Sequence, residues 1–249
     1  MKAPFITYVA LRPGAELDRS CFPGSLPFTR DLHLDFKSAV TFFVGENGSG
    51  KSTLLEAVAV MAGLPIDGGG TNELADRHGI QERSGLADEL RMAFRQRPRD
   101  GYFFRAELQA HFASLLDRRR LDSDFDGDPY DLYGGRSLHT MSHGEAFLSV
   151  MHNRFTEGLF ILDEPESALS PQRQLALLAL MYDRVCTGKA QFIVATHSPI
   201  LLTYPGAAIV SFDGASLEEL ALADTQHFQI THGILSRPES YWRHIRSGD

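Results

Sequence analysis

The segment from Gly45 to Ser52 (GENGSGKS) combines glycines, a lysine and a hydroxyl in a pattern that suits a polyphosphate. It matches GxxxxGK[ST] and lies between the apolar run Ala39–Val44 and a helical pattern over Ser52–Ala62. Glycines let the backbone N–H groups face phosphates, and a helix N-terminus adds a favourable dipole. We therefore expect a phosphate loop over residues 45–53, with nucleotide contacts from Gly45, Asn47, Gly48, Ser49, Gly50, Lys51, Ser52 and Thr53.

Three side chains of this loop have distinct expected tasks. Lys51 would reach the β- and γ-phosphates, where its charge assists catalysis. The Ser52 hydroxyl would ligate Mg²⁺, and Thr53 would be available to the α-phosphate. The expected cofactors are therefore ATP and Mg²⁺.

A second cluster follows the apolar run Leu159–Leu162, which ends in Asp163 and Glu164. Ligands of parallel sheets lie at the carboxyl ends of the strands, so both acids should point towards the phosphate loop. Asp163 would hold Mg²⁺ through water, together with Ser52. Glu164 would orient and deprotonate an attacking water, which predicts hydrolysis of ATP.

Apolar strands alternating with helices should position these residues. The pattern predicts an α/β fold with a mostly parallel sheet that is flanked by helices on both faces. Short strands and turns are expected before Phe36, and a mostly helical stretch over residues 72–121 with a strand at Gly101–Phe104, followed by an irregular loop at 122–136. The main predicted strands are 39–44, 159–162, 191–195 and 208–212, and the main predicted helices are 52–62, 144–153 and 171–184.

Three further segments resemble motifs of the ABC ATPase superfamily. Ser142–Glu145 (SHGE), 21 residues before Asp163, is similar to the signature sequence. Glu166–Ser170 resembles the D-loop, and Ala195–Ser198 (ATHS) resembles the switch loop. The closest resemblance is to small bacterial standalone AAA-family predicted ATPases, which share these motifs.

This resemblance implies a P-loop NTPase fold of the ABC type. It implies one domain over 1–249, with an antiparallel N-terminal β part and an inserted helical subdomain at about 72–155. It also implies an ATP-dependent homodimer, in which Ser142, Gly144 and Glu145 cap the γ-phosphate bound by the opposing subunit. His197 would contact the γ-phosphate and help to position the attacking water.

The chain departs from the family pattern in two places. His143 stands where the signature usually has glycine, and Arg105–Glu107 occupies the place of the Q-loop glutamine. Gln96 and Gln109 lie nearby but outside the matching pattern. The adenine contact is open between three aromatic residues, Tyr8, Phe22 and Phe28.

Composition narrows the class of protein. The net charge of −8 argues against tight nonspecific binding of nucleic acid by the chain as a whole. No apolar run approaches the roughly 18–20 residues that cross a bilayer, and the N-terminus does not resemble a signal peptide. We therefore expect a cytoplasmic protein without membrane insertion. Cys21 and Cys186 lack a CxxC partner and predict buried or structural thiols rather than a disulfide or metal site.

Three alternatives to a plain ATPase remain open from the sequence. The first is an ATP-gated switch or clamp that acts on DNA or a protein partner and hydrolyses ATP slowly. The second is the nucleotide-binding subunit of a membrane transporter, against which the missing Q-loop glutamine argues. The third is a P-loop kinase, which would leave the signature resemblance unexplained.

Overall fold

A seven-stranded, mostly parallel sheet forms the centre of the computed structural model, which describes residues 3–71, 84–121 and 127–247. Its strand order is β10-β9-β3-β8-β7-β6-β4, in which the five inner strands are parallel and both edge strands are antiparallel. The strands are β3 Val40–Val44, β4 Gly69–Gly70, β6 Gly101–Arg105, β7 Gly158–Asp163, β8 Ala190–Ala195, β9 Ala208–Ser211 and β10 Glu218–Glu219. The predicted α/β architecture is confirmed.

Helices cover both faces of this sheet because successive strand residues point to opposite sides. On β7, Leu159 and Ile161 pack towards α1, whereas Phe160 and Leu162 pack towards α3 and α4. Each side holds its own apolar core, so the sheet is buried on both faces. The helices are α1 Lys51–Ala62, α2 Gln109–Leu121, α3 His143–Arg154, α4 Pro171–Cys186, α5 Gln226–Ser236 and α6 Pro238–Ser247.

A smaller antiparallel sheet of three strands packs beside α1. It contains β1 Ile6–Leu11, β2 His33–Asp35 and β5 Leu90–Phe94 in the order β2-β1-β5. The carboxamide of buried Gln191, on β8, joins the two sheets. Its Oε1 accepts hydrogen bonds from the backbone N–H groups of Phe5 (2.7 Å) and Ile6 (2.9 Å). The expected antiparallel N-terminal β part is therefore present.

The structure corrects two expectations from the sequence. The stretch 72–121 was expected to be helical apart from Gly101–Phe104, but Leu90–Phe94 forms β5 and pairs with β1. The expectation of buried thiols is wrong, since Cys21 and Cys186 are both exposed and free. Residues 72–83 of the expected helical subdomain and residues 122–126 of the expected loop lie outside the described part of the chain.

No helix within the described ranges combines the length and the apolar character needed to span a membrane.

Candidate nucleotide-binding site

The phosphate loop connects β3 to α1 at the carboxyl edge of the central sheet. Gly50 lies immediately before α1 in the left-handed region, with φ of 95°. A Cβ atom at this position would lie 2.6 Å from the Phe28 ring, so the site requires glycine on both conformational and steric grounds. Asn47 and Gly48 lie on the exposed lip of the loop, Gly45 is buried, and Ser49 and Thr53 are half-buried.

The Lys51 side chain folds back across the loop. Its Nζ donates hydrogen bonds to the carbonyl oxygens of Gly45 (2.7 Å) and Glu46 (2.9 Å). Burial lowers the pKa of this ammonium, while the carboxylates of Glu164 and Asp163 act in the opposite direction. The Lys51 ammonium is therefore held inside the phosphate loop, where it would neutralise the charge of a bound phosphate.

Ser52 and Asp163 meet although 111 residues separate them, because β3 and β7 end at the same edge of the sheet. The Ser52 Oγ donates to Asp163 Oδ1 at 3.0 Å. Burial raises the pKa of Asp163 to about 6, and Arg105 and the Ser52 hydroxyl partly oppose this rise. The carboxylate form is therefore the main one at neutral pH.

Arg105 is a neighbour of this pair that the sequence did not assign. It ends β6, where it is in register with Asp163, and its Nε lies 3.8 Å from Asp163 Oδ2. Its Nη1 lies 2.8 Å from Glu56 Oε1. Glu56 follows Ser52 by four residues and so lies on the same face of α1, which is a spacing that the sequence does reveal. Arg105, in the segment 105–107 that the resemblance aligns with the Q-loop, is thus close to both the Glu56 and Asp163 carboxylates.

Glu164 has an unusual backbone conformation. Its φ of 48° is the one positive φ of a non-glycine residue among the described residues. Its N–H donates to the Ala195 carbonyl at 3.0 Å, and its Oε1 lies 3.6 Å from His197 Nε2. The turn directs the carboxylate out of the sheet edge towards His197.

Two contacts hold His197 at the end of β8. Its backbone N–H donates to Glu166 Oε1 at 2.6 Å, and its ring Nδ1 lies 2.8 Å from Nε2 of His227. Glu166 is in the segment that resembles the D-loop, and burial raises the pKa of its carboxyl, an effect that the His197 N–H opposes. The segments after β7 and β8 are therefore linked through this carboxylate.

Two other residues at the site have no local sequence signal. Asp213 follows β9, and its Oδ1 accepts a hydrogen bond from the Glu46 N–H at 2.7 Å. His227 belongs to α5 and reaches His197 from a distance of 30 residues. Only the tertiary structure brings these residues to the phosphate loop.

The signature segment, Ser142–Glu145, forms the exposed start of α3. Ser142 and Glu145 make a reciprocal capping box, in which Glu145 Oε2 accepts from Ser142 N (2.9 Å) and Oγ (2.7 Å). A Cβ at buried Gly144 would lie 3.0 Å from the Ala168 carbonyl oxygen and 2.0 Å from Arg173 Nη1, so a larger residue here would displace the Arg173 side chain. Within the described residues, no hydrogen bond or ion pair joins Ser142 or Glu145 to residues 45–53 of the same chain.

The structure reduces the three candidates for the adenine contact. Phe28 is 1% exposed and packs edge-on against Phe212, so it has no free face for a base and is removed from the candidates. The Tyr8 ring stacks on His33 at 5.6 Å, whereas Phe22 is 67% exposed. Tyr8 and Phe22 remain candidates.

The side chains at the edge of the sheet fit Mg²⁺. A hydroxyl and a carboxylate at 3.0 Å supply the oxygen ligands that this ion prefers. The Ser49 hydroxyl is buried and has no hydrogen-bond partner among the described residues. That orphaned hydroxyl and the Lys51 ammonium give the loop polar groups for phosphate as well.

Comparisons with known proteins agree with this geometry. Residues 23–112 match the family described as "AAA domain", and residues 94–203 match the family described as "AAA domain, putative AbiEii toxin, Type IV TA system". The chain is 27% identical over 187 residues to the cytochrome c biogenesis ATP-binding export protein CcmA of Rhodopseudomonas palustris (strain HaA2), covering 68% of this chain and 85% of that protein. It is 28% identical over 237 residues to the ribose import ATP-binding protein RbsA 1 of Rhizobium meliloti (strain 1021). That match covers 87% of this chain but only 45% of the relative.

Among solved structures, the fold resembles "An inward-facing conformation of a putative metal-chelate type ABC transporter", with a TM-score of 0.53. The identity is 14%, and the alignment covers 91% of this chain and 88% of that one. At that identity the likeness concerns the fold alone. The motifs, the sheet order and the matched relatives together support an ABC-type P-loop ATPase.

Proposed function

We propose that the chain binds Mg–ATP on residues 45–53 and hydrolyses it to ADP and phosphate. The observation that carries this proposal is the meeting of Lys51 and Ser52 with Asp163, Glu164 and His197 at one edge of the sheet. The Ser52–Asp163 hydrogen bond of 3.0 Å joins the two halves of the site. Five side chains from three strand ends supply the groups that phosphoryl transfer to water requires.

Each side chain has a definite task in this mechanism. Ser52 and Asp163 would hold Mg²⁺, which supplies positive charge at the phosphates when it is bound. Lys51 neutralises phosphate charge, and Glu164 accepts a proton from the attacking water as its oxygen bonds to the γ-phosphorus. The bond between the γ-phosphorus and the β,γ-bridging oxygen breaks, and ADP leaves. The buried Nε2 of His197, which lies beside Glu164, donates to the γ-phosphate.

We also propose that two copies complete each other's sites. In one chain the start of α3 is exposed, and among the described residues no hydrogen bond or ion pair joins Ser142 to the phosphate loop. A helix N-terminus attracts anions, so a second copy would present this segment to the γ-phosphate. Gly144 lets α3 approach Arg173 and the Ala168 carbonyl, which holds the segment in place for this task.

An assay of the Glu164→Gln variant tests both proposals. ATP binding should persist, while turnover should fall by at least about 100-fold because the general base is lost. Sizing should then show an ATP-dependent dimer. Glu157→Gln is the matched control, since this exposed glutamate precedes the opposite end of β7.

Rapid turnover by Glu164→Gln would remove Glu164 from its role, and a wild type that binds no ATP would refute the whole proposal. An ATP-bound Glu164→Gln variant that stays monomeric would refute only the dimer.

The C-terminal helices favour a second candidate function, an ATP-gated switch that binds a partner. Four large apolar side chains of α5 and α6 are exposed, namely Ile230, Leu235, Trp242 and Ile245. Exposed apolar groups of this size fit a protein partner better than DNA. Wild-type turnover far below about 1 s⁻¹ that rises on adding a protein from the same cell would support the switch, whereas a rise with DNA would identify a clamp on DNA.

The names of the two curated relatives support a further alternative, the ATP-binding subunit of a transporter. The absence of a glutamine from residues 105–107, where the resemblance places the Q-loop, argues against it, since transporter subunits engage their membrane partners through that loop. Retention of the chain by membranes in the presence of ATP would favour the transporter role over the plain ATPase.

A further inference from the structure

His227 contacts the switch segment, Ala195–Ser198, although it lies outside every motif that the sequence assigns to the site. It is the second residue of α5, whose first turn is capped by Thr225, and it is half-buried. Its Nε2 lies 2.8 Å from Nδ1 of His197, and the two ring centroids are 5.0 Å apart. At this distance the two nitrogens share one proton, since one must donate and the other must accept.

The surroundings of His197 decide which ring donates. The other ring nitrogen, Nε2, is buried, lies 3.6 Å from the Glu164 carboxylate and has no hydrogen-bond partner among the described residues. A lone pair on Nε2 would face that negative charge, and phosphate oxygens as well once ATP binds. The stable arrangement of neutral His197 therefore carries its proton on Nε2 and accepts at Nδ1.

His227 is suited to be the neutral donor in this pair. Burial and the neighbouring His197 lower the pKa of His227, Lys51 adds to this effect, and Asp213 and Glu46 oppose it. Its place in the first turn of α5 also disfavours a positive charge, because the helix dipole is positive there. His227 thus stays uncharged near neutral pH and has a single N–H to donate.

We propose that His227 is a positioning residue for ATP hydrolysis: its Nε2–H donates to His197 Nδ1 and keeps the only N–H of that ring directed at Glu164 and the triphosphate site. This inference rests on the proposed function of His197. Helix α5 would then influence hydrolysis, because a shift of α5 would break the contact with His227 and let the His197 proton occupy either ring nitrogen.

Two variants of the full chain separate hydrogen bonding from packing. His227→Gln retains an amide N–H near the position of Nε2, whereas His227→Phe keeps a ring without a donor. Steady-state turnover should stay within about threefold of wild type for His227→Gln and fall about tenfold for His227→Phe, the size of one lost hydrogen bond. The KM for ATP should change less than about twofold in both variants, because the contact acts on the chemical step.

A third variant, His232→Phe, is the matched control. His232 is an exposed histidine on the same helix, and its ring stacks on Phe228 rather than on a residue of the site. Wild-type turnover is expected for this variant.

NMR of ¹⁵N-histidine-labelled protein gives a readout that does not depend on activity. His197, assigned by loss of its signals in His197→Gln, should have its proton on Nε2 in wild type and His227→Gln. In His227→Phe a fraction with the proton on Nδ1 should appear.

Wild-type turnover for His227→Phe, equal losses for the Gln and Phe variants, or a proton on Nδ1 in the wild type would each overturn the proposal. If the wild type hydrolyses no ATP, the proposed function fails, and the NMR tautomer still decides the role of His227. If His227→Phe does not fold, the wild-type and His227→Gln spectra decide it.

Discussion

At the scale of single residues, burial of the Asp163 carboxyl links the proposed metal site to folding stability. Its pKa rises from the ordinary 3.8 to about 6, chiefly because of burial. At a pH between these two pKa values, the Asp163 carboxyl is therefore mostly protonated in the folded protein and mostly ionised in the unfolded chain. Stability from this group is present below about pH 4 and is lost as pH rises to about 6.

We predict that Asp163→Asn removes this dependence, because asparagine does not titrate and its amide oxygen still accepts from Ser52. In EDTA, the free energy of unfolding of wild type should fall relative to the variant by at most about 1.4 kcal/mol per pH unit between pH 4 and 6. Above that range the difference should stay constant. Urea titrations at several pH values measure it, and parallel curves for the two proteins would contradict the assignment.

Local sequence patterns were sufficient for some residues of the site and not for others. Lys51, Ser52, Asp163, Glu164 and His197 follow strands with clear apolar runs, so their places at the sheet edge could be predicted. Arg105 is a different case: its side chain is set by register with Asp163, which no local pattern reveals. Asp213 and His227 also depend on tertiary packing alone.

At the scale of elements, the strands differ in how well the sequence predicts their positions. The inner strands of the parallel sheet are long apolar runs, and their positions were predicted to within one or two residues. Leu90–Phe94 (LRMAF) is short and has a charged residue at its second position, so its pairing with β1 could not be seen from the sequence. A strand of this kind gains its stability from its partner rather than from its own propensity.

We predict that Gln191→Leu destabilises the protein by about 2–4 kcal/mol, because two buried backbone N–H groups lose their acceptor. Those groups belong to Phe5 and Ile6, at the start of β1. Gln172→Leu, at an exposed position in α4, is the control and should change stability by less than about 0.5 kcal/mol. Chemical denaturation measures both, and equal effects would show that the carboxamide does not join the two sheets.

At the scale of the whole molecule, the proposed dimer divides each active site between two chains. Lys51→Ala removes the lysine of the phosphate loop but leaves the signature segment intact. Ser142→Asp does the reverse, since aspartate still caps α3 while its charge repels the γ-phosphate. Each variant alone should be inactive for a different reason.

We predict that mixing these two inactive variants restores activity. A mixed dimer has one complete site, so an equal mixture should reach about a quarter of the wild-type rate if the sites act independently in a symmetric dimer. Wild type diluted to the same concentration of intact sites is the reference. An inactive mixture whose subunits exchange would contradict the shared-site arrangement.

The left-handed backbone at Glu164 affects the choice of substitution for an inactive variant of this protein. An L-residue in that region costs about 1–2 kcal/mol, a burden that glycine does not carry. Replacing Glu164 with glutamine removes the carboxylate but keeps this conformational cost. Replacing it with glycine removes both. The two knockouts therefore differ in robustness, and greater cellular abundance of the glycine form would reflect relaxed geometry rather than rescued chemistry.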